Sequence, residues 1–232
     1  MILEGKKGLV VGIANSDSIA TGCARAFRAA GADLAVTYVN DKSEPFVEPV
    51  VKEVDASIFM PLNVEADGEL DAVFAEIESK WGKLDFLLHS IAYCPKDDLH
   101  GRVTDCSREG FARAMDISVH SLIRIVRKAE PLMKDGGSVL TMSYYGAEKV
   151  IDHYNVMGPV KSALEGTVRY LAAELGVKGI RVHAVSPGPI LTRAGSGIAH
   201  FDALIEQARF IPAPTCLVGV VDVGYLGLAV VI

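Results

Sequence analysis

The chain is poor in the residues that signal metal chemistry or an oxidising compartment. Its four cysteines, Cys23, Cys94, Cys106 and Cys216, form no CxxC pair. Cys23 falls within an apolar helical pattern, where a thiol is usually a small buried hydrophobe. Neither a disulfide framework nor a thiolate metal site is expected. The six histidines show no HxxxH or HExxH spacing, so a metal centre has no support. Positive charge is short as well: 23 Lys and Arg stand against 29 Asp and Glu, for a net charge of −6. That balance speaks against general affinity for nucleic acid or anionic lipid, but not against an acidic partner on a local basic patch. Long apolar runs are missing. The nearest, LVGVVDVGYLGLAVVI at 217–232, contains Asp222 and is broken by glycines, so no membrane span is expected. The opening MILEGKKGLVVG is too short for a signal-peptide core and reads as a first strand. A cytoplasmic protein is expected. There is no internal repeat, low-complexity tract or linker.

What is present is alternation. The 232 residues, half of them hydrophobic, suit one large α/β domain with a substantial core. Apolar strand-like runs lie at 7–14, 33–39, 57–64, 84–91, 138–146 and 180–188. Helix-length segments separate them, at 18–30, 43–54, 67–81, 107–133 and 154–175. Pro49 is expected to distort the second of these. Such a pattern predicts a doubly wound, mostly parallel, Rossmann-like sheet with helices on both faces. Ligands of such sheets bind at the carboxyl ends of the strands.

The strand ends carry the chemistry. GIANSDSIATG at 12–22 is not GxGxxG, but Gly12 lets the chain leave the first strand tightly. Ser18 and Ile19 would open a helix whose free N–H groups favour a pyrophosphate, and Gly22 would allow close helix–strand packing. A plain N-cap at Ser18 explains the same residues. The second strand ends TYVNDK, placing Val39 where an acidic residue often binds the adenosine ribose. With Lys42 the only nearby cation, NADH is favoured over NADPH. Asn63 and Val64 end the third strand and could cradle adenine. Ser90 and Ile91, in HSIAY at 89–93, would let the backbone approach the cofactor. Each is also an ordinary strand end.

The stretch YNVMGPVK places Tyr154 and Lys161 seven positions apart at the expected start of the last long helix. On a continuous helix they would differ by only ~20° in azimuth and lie ~10.5 Å apart along the axis, so both would reach one cleft. A surface helix with a snorkelling lysine fits the same spacing.

Taken together, GIANSDSIATG, HSIAY, SYYGAEKVIDHYNVMGPVK and SPGPILT resemble the enoyl-acyl carrier protein reductases, a divergent branch of the short-chain dehydrogenase/reductases. The similarity covers nearly all of residues 2–214. Ordinary members use Tyr-x3-Lys, but Gly158 stands four residues after Tyr154, and lysine comes only at 161. Tyr144, ten positions before Tyr154, completes the reductase pattern where ordinary members use Ser. The resemblance implies reduction of the trans-2 double bond of an enoyl thioester, on acyl carrier protein or CoA, by hydride from NADH in fatty-acid synthesis. It implies that Tyr154 donates to the thioester oxygen as that oxygen gains charge, while Lys161 holds the nicotinamide ribose and places positive charge near the tyrosine. Tyr144 and Cys94 would line the acyl pocket with Tyr154. Ile190, Thr192 and Ala194, in and after SPGPILT, would complete the cofactor site. Residues 193–210 resemble the mobile substrate lid of the family, and a homotetramer is implied. A carbonyl-reducing short-chain dehydrogenase and a non-catalytic dinucleotide-binding homologue are the alternatives.

Three features depart from the family pattern. Asn63 stands where relatives often have Asp. The lid carries Asp202 and Glu206 and no Lys or Arg between 194 and 208, although relatives often have basic residues there to receive an acidic carrier. The chain stops at Ile232, before the usual seventh strand. The sixth strand is therefore expected to be an uncovered edge, and either the true C-terminus to be missing or tetramer assembly to be impaired.

Overall fold

In the computed structural model, residues 1–190, 192 and 197–198 are described, together with the backbone of 228–231. Six parallel strands, β1 (Lys7–Val11), β2 (Asp33–Tyr38), β3 (Ile58–Pro61), β4 (Phe86–His89), β5 (Gly137–Met142) and β6 (Ile180–Pro187), lie in the order β3-β2-β1-β4-β5-β6. The order reverses between β1 and β4, which opens a crevice at their carboxyl ends. The expected doubly wound sheet is therefore what forms.

The strands read as continuous apolar runs because both faces are covered. Leu9, Val11, Ala35, Leu87, Val139 and Val182 face one core. That core is closed by α3 (Glu69–Trp81), α5 (Arg108–Met115), α6 (Ser121–Ala129) and α7 (Met157–Leu175). Val10, Leu34, Val36, Phe86 and Leu88 face the other, with α1 (Ile19–Ala29) and α2 (Glu44–Glu53). Adjacent fully buried leucines such as Leu87 and Leu88 thus serve opposite layers, each contributing about 1.5–3 kcal/mol of burial. Helix α2 runs through Pro49 without interruption. Pro45 lies in the first turn, where a missing N–H forfeits no helical bond, whereas Pro49 inside the helix gives up the bond its N–H would have made.

Several elements differ from the sequence expectation. A short helix, α4 (Lys96–His100), follows β4; five residues are too few to show a period. The run expected as one helix over 107–133 starts with a cap, Ser107 Oγ accepting from Gly110 N at 2.9 Å. It then passes through a π-helical turn at Asp116–His120 before α6. The wider turn points Ser118 inward, where its hydroxyl accepts from Tyr93 N at 3.0 Å and donates to Tyr93 O at 3.2 Å.

The last long helix begins at Met157, not at Tyr154. His153 and Asn155 have φ of 64° and 45°, so the chain before the helix is a left-handed turn, a conformation asparagine tolerates. Asn155 Nδ2 anchors it by donating to Leu99 O in α4 at 2.8 Å.

The sixth strand is not an open edge. A seventh strand, β7 (Leu228–Val231), pairs antiparallel with it, from Ala184↔Val231 to Pro187↔Leu228. The expectation of an uncovered β6 is overturned, because the apolar end of the chain supplies the missing backbone partners. Among the described residues, no helix is long and apolar enough to cross a membrane.

Candidate active site

The crevice at the strand-order reversal is made by one steric absence. Gly12 has φ of 104°, and a Cβ there would stand 2.1 Å from Ser90 O and 3.3 Å from Ile91 N. Only glycine lets the ends of β1 and β4 close on each other. This brings Gly12, Ser90 and Ile91 together as expected.

Ser18 is placed at the start of α1 but does not cap it. Its Oγ instead accepts from Ala14 N and Asn15 N at 3.0 and 3.1 Å, and donates to Asn15 Oδ1 at 3.2 Å. The hydroxyl shapes the loop before the helix and leaves the amides of the first turn, Ile19 included, without a side-chain cap. A helix start of that kind suits a pyrophosphate. Gly22 does not have the expected packing role: it is exposed, and a Cβ there would meet nothing within 4 Å. Thr21 makes the close contact instead, fully buried, with Oγ1 donating to Asn15 O at 2.7 Å.

At the end of β2, Val39 is exposed and its N–H donates to Ser43 Oγ at 3.2 Å, as does Asn40 N at 3.1 Å. At the end of β3, Asn63 Oδ1 accepts from Glu65 N at 3.0 Å and Val64 is buried. The Asn63 carbonyl thus closes its own turn. Ile190, beyond β6, is exposed, and Thr192 is half-buried. Ala194 lies outside the described residues, as does most of the expected lid.

The second cluster gathers at the end of β5. Tyr154 and Lys161 are 6% and 5% exposed. The phenol reaches the cluster from the turn before α7 and the amine from its second turn, so the single-stripe geometry expected from the spacing does not apply. Tyr144, half-buried in extended backbone after β5, packs edge-to-face on Tyr154 with ring centroids 4.8 Å apart. Burial, then Tyr144 and Glu165, push the Tyr154 phenol far above its ordinary pKa, so it stays a neutral donor at working pH. Burial pulls Lys161 down to about 8 against the opposing pull of Glu165. Its Nζ donates to Met142 O at 2.5 Å.

Cys94, like Tyr144, Leu99 and Ile198, is partly buried against the margin of the core. Burial first, then Asp98 and Cys106, push its thiol up to about 11. It is an apolar wall rather than a nucleophile. Beside it, His100 Nε2 meets Gly197 O at 2.8 Å.

Sequence reasoning missed three contributors. A Cβ on Gly146 would stand 2.4 Å from the Tyr154 ring, and one on Gly158 would press to 3.2 Å from Gly146 O. The two glycines make the slot that holds the phenol. The third is buried Glu165, whose Oε1 accepts from Ser143 Oγ at 2.5 Å; its signal was an ordinary Lys–Glu pair at i, i+4 in KSALE. His89 is fully buried between Thr141 Oγ1 at 2.9 Å and Ser121 Oγ at 2.8 Å. Because Ser121 gives its proton to Ile117 O at 2.6 Å, His89 must donate from Nε2 and accept from Thr141 at Nδ1. Burial, with Lys161 second, holds its pKa down to about 3. The charge expected beside Tyr154 is felt by His89 and Glu165.

A family model described as enoyl-(acyl carrier protein) reductase matches residues 12–225. The enoyl-acyl-carrier-protein reductase (NADH) 1 of Rhizobium meliloti is 47% identical over 96% of this chain and 82% of its own length. The crystal structure of the enoyl-acyl-carrier-protein reductase (NADH) from Aquifex aeolicus superposes with a TM-score of 0.86 at 47% identity, covering 89% of this chain and 81% of that one. The reductase from Anaplasma phagocytophilum, solved in complex with NAD, superposes with a TM-score of 0.84 at 46% identity over 88% of this chain and 78% of that one.

Proposed function

Since this chain belongs to the enoyl-(acyl carrier protein) reductase family, we propose that the tyrosine–lysine cluster at the end of β5 is where its reduction takes place. The protein is an NADH-dependent oxidoreductase of fatty-acid synthesis that saturates the trans-2 double bond of an enoyl thioester. When bound, the nicotinamide supplies the hydride that reaches the β-carbon. The chain's own residues bind, orient and stabilise.

Gly12, Ser90 and Ile91 leave room for the dinucleotide against the backbone, and the uncapped start of α1 faces its phosphates. Val39, with Asp41 and the single cation Lys42 in the turn through Ser43, suits an adenosine ribose without a 2′-phosphate. Asn63 and Val64 border adenine; Ile190, Thr192 and Ala194 border the nicotinamide and phosphate side. Lys161 holds the ribose hydroxyls. Tyr154, held neutral by burial, donates a hydrogen bond to the thioester oxygen as negative charge gathers there, and the α-carbon of the enolate then takes a proton from solvent. One preorganised donor of this kind supplies about 3–4 kcal/mol of transition-state stabilisation. Tyr144 and Cys94 form the apolar wall for the acyl chain.

The observation that carries this reading is the buried, protonated phenol seated on Gly146, with Gly158 leaving space for the Gly146 carbonyl. It also speaks against a carbonyl-reducing enzyme of the ordinary spacing, since a side chain at 158 would crowd Gly146 O. Loss of NADH absorbance with crotonyl-CoA or a longer enoyl thioester, against a ketone control, tests it. Turnover of the thioester alone is expected; turnover of the ketone alone would overturn the assignment.

We infer further that the enzyme is cytoplasmic, reduces the enoyl group while it remains a thioester of carrier protein or CoA, and assembles as a homotetramer. Tyr170 on α7 is 82% exposed and Ile123 on α6 39%. With Thr167 and Leu171 they border one open hollow, a surface suited to a second copy. Light scattering on the eluted protein is expected to give four times the chain mass.

A further inference from the structure

The buried groups around Lys161 form a pattern that the reduction described above does not use. Lys161 and Glu165 are one turn apart on α7, and both are turned into the core rather than outward. They do not bond to each other. The ammonium donates to Met142 O, and the carboxylate accepts from the hydroxyl of the next residue, Ser143. Ser143 is itself fixed across the sheet, its N–H donating to Val185 O at 2.7 Å. One turn of helix therefore grips two consecutive residues at the end of β5, the segment that runs directly into Tyr144.

A carboxylate removed from water is costly unless it is hydrogen-bonded and its charge is compensated. An ordinary core position would hold leucine. The retained charge needs a role, and its surroundings indicate one. Burial raises the pKa of Glu165 and Glu148 after β5 adds to that, while the Ser143 hydroxyl, Arg169 one turn further along α7 and Lys161 favour its carboxylate form. Tyr154 also senses it. His89 faces Lys161 from β4 but is neutral through the working range. Tyr154 is likewise neutral. Glu165 is thus the anion that offsets the desolvation of the Lys161 ammonium.

We propose that Glu165 is a positioning residue of the reductase, which keeps Lys161 charged in its dry setting and, through Ser143, fixes the strand end to which that lysine is tethered. The proposal rests on the reading of Lys161 as the ribose ligand. Its signature is a change in the pH at which NADH binding fails. Lys161 binds while protonated, so affinity is lost as pH rises through its pKa; without the anion, that loss begins at lower pH.

The test is NADH affinity from pH 6 to 9, by fluorescence titration of the whole protein. Glu165→Gln is expected to move the midpoint down by about one pH unit. NADH binding would then be about fivefold weaker at pH 8 yet within about 1.5-fold at pH 6. The KM for NADH should follow the same course. A merely structural loss would weaken binding equally at both pH values, and that outcome overturns the proposal. Should Glu165→Gln not fold, Ser143→Ala removes the donor that favours the carboxylate and is expected to move the midpoint the same way by less; an unmoved midpoint overturns it. Lys161→Met separates the two claims. If it leaves NADH affinity unchanged, the ribose assignment fails and this proposal with it. If it weakens binding while Glu165→Gln leaves the midpoint in place, only the role of Glu165 falls.

Discussion

On the assignment proposed above, the two halves of the crevice recognise by opposite means. On the side of β1, β2 and β3 it works through backbone: a glycine that must lack a side chain, a serine that bonds loop amides, a turn after Val39 closed by Ser43 Oγ. On the side of β5 and α7, recognition is by buried ionisable side chains, Tyr154, Lys161 and Glu165, each displaced from its ordinary pKa by lost water. A dinucleotide offers hydroxyls and phosphates that N–H groups can satisfy. A reacting thioester offers charge that exists only briefly, and it needs a donor already desolvated and aimed. The first half tolerates small side-chain changes but not backbone changes; the second should behave in reverse.

The largest expected effect that would break this contrast is at Gly12. Gly12→Val sets a branched side chain at positive φ with its Cβ 2.1 Å from Ser90 O. A loss of about 3 kcal/mol or more is expected, read as a collapse of the thermal midpoint and of NADH binding. Next is Tyr154→Phe, which keeps the ring in its slot and removes only the proton. A fall in kcat of about 10²–10³-fold is expected, with NADH affinity within about twofold; a large change in affinity would mean that the phenol holds cofactor instead. Lys161→Met should weaken NADH binding about tenfold at pH 7 and remove the wild-type loss of affinity as pH rises through about 8. Smallest at neutral pH is His89→Gln, at about 1 kcal/mol. Its folded-state pKa lies below its ordinary one, so the unfolded chain takes up the proton first. Stability is full above about 6.5 and drains as pH falls towards about 3. Thermal midpoints across that window should fall less steeply in the variant than in wild type.

How much of this was legible in the sequence depended on the length of the signal. Six strands and the long helices were readable because their apolar periods extend over several turns. Neither α4 nor the π-helical turn was readable: five residues show no period, and a π turn keeps an ordinary helical composition. The stripe argument for Tyr154 and Lys161 failed because His153 and Asn155 enter left-handed backbone, a choice fixed by the bond from Asn155 to Leu99 rather than by local preference. Both residues are buried near the end of β5, Tyr154 against Tyr144 and Lys161 on Met142 O, so the stripe was wrong about the path the chain takes to that place. Gly146 and Glu165 carried no distinctive signal, since a slot and a counter-charge exist only after the chain has folded. Gly22 misled in the other direction: a glycine in a helix start reads as close packing, but its neighbour Thr21 makes the contact.

The left-handed turn ahead of α7 alters what the long tyrosine-to-lysine spacing means. The extra residues are a joint rather than added helix, with the phenol on one side and the amine on the other. The amine inherits the rigidity of nineteen helical residues, whereas the phenol takes its coordinates from a two-point suspension: the glycine slot behind it and the amide tether to α4 beneath it. Proton donor and cofactor anchor can therefore be displaced independently, and a ligand that wedges against Leu99 would disarm one while leaving the other in place.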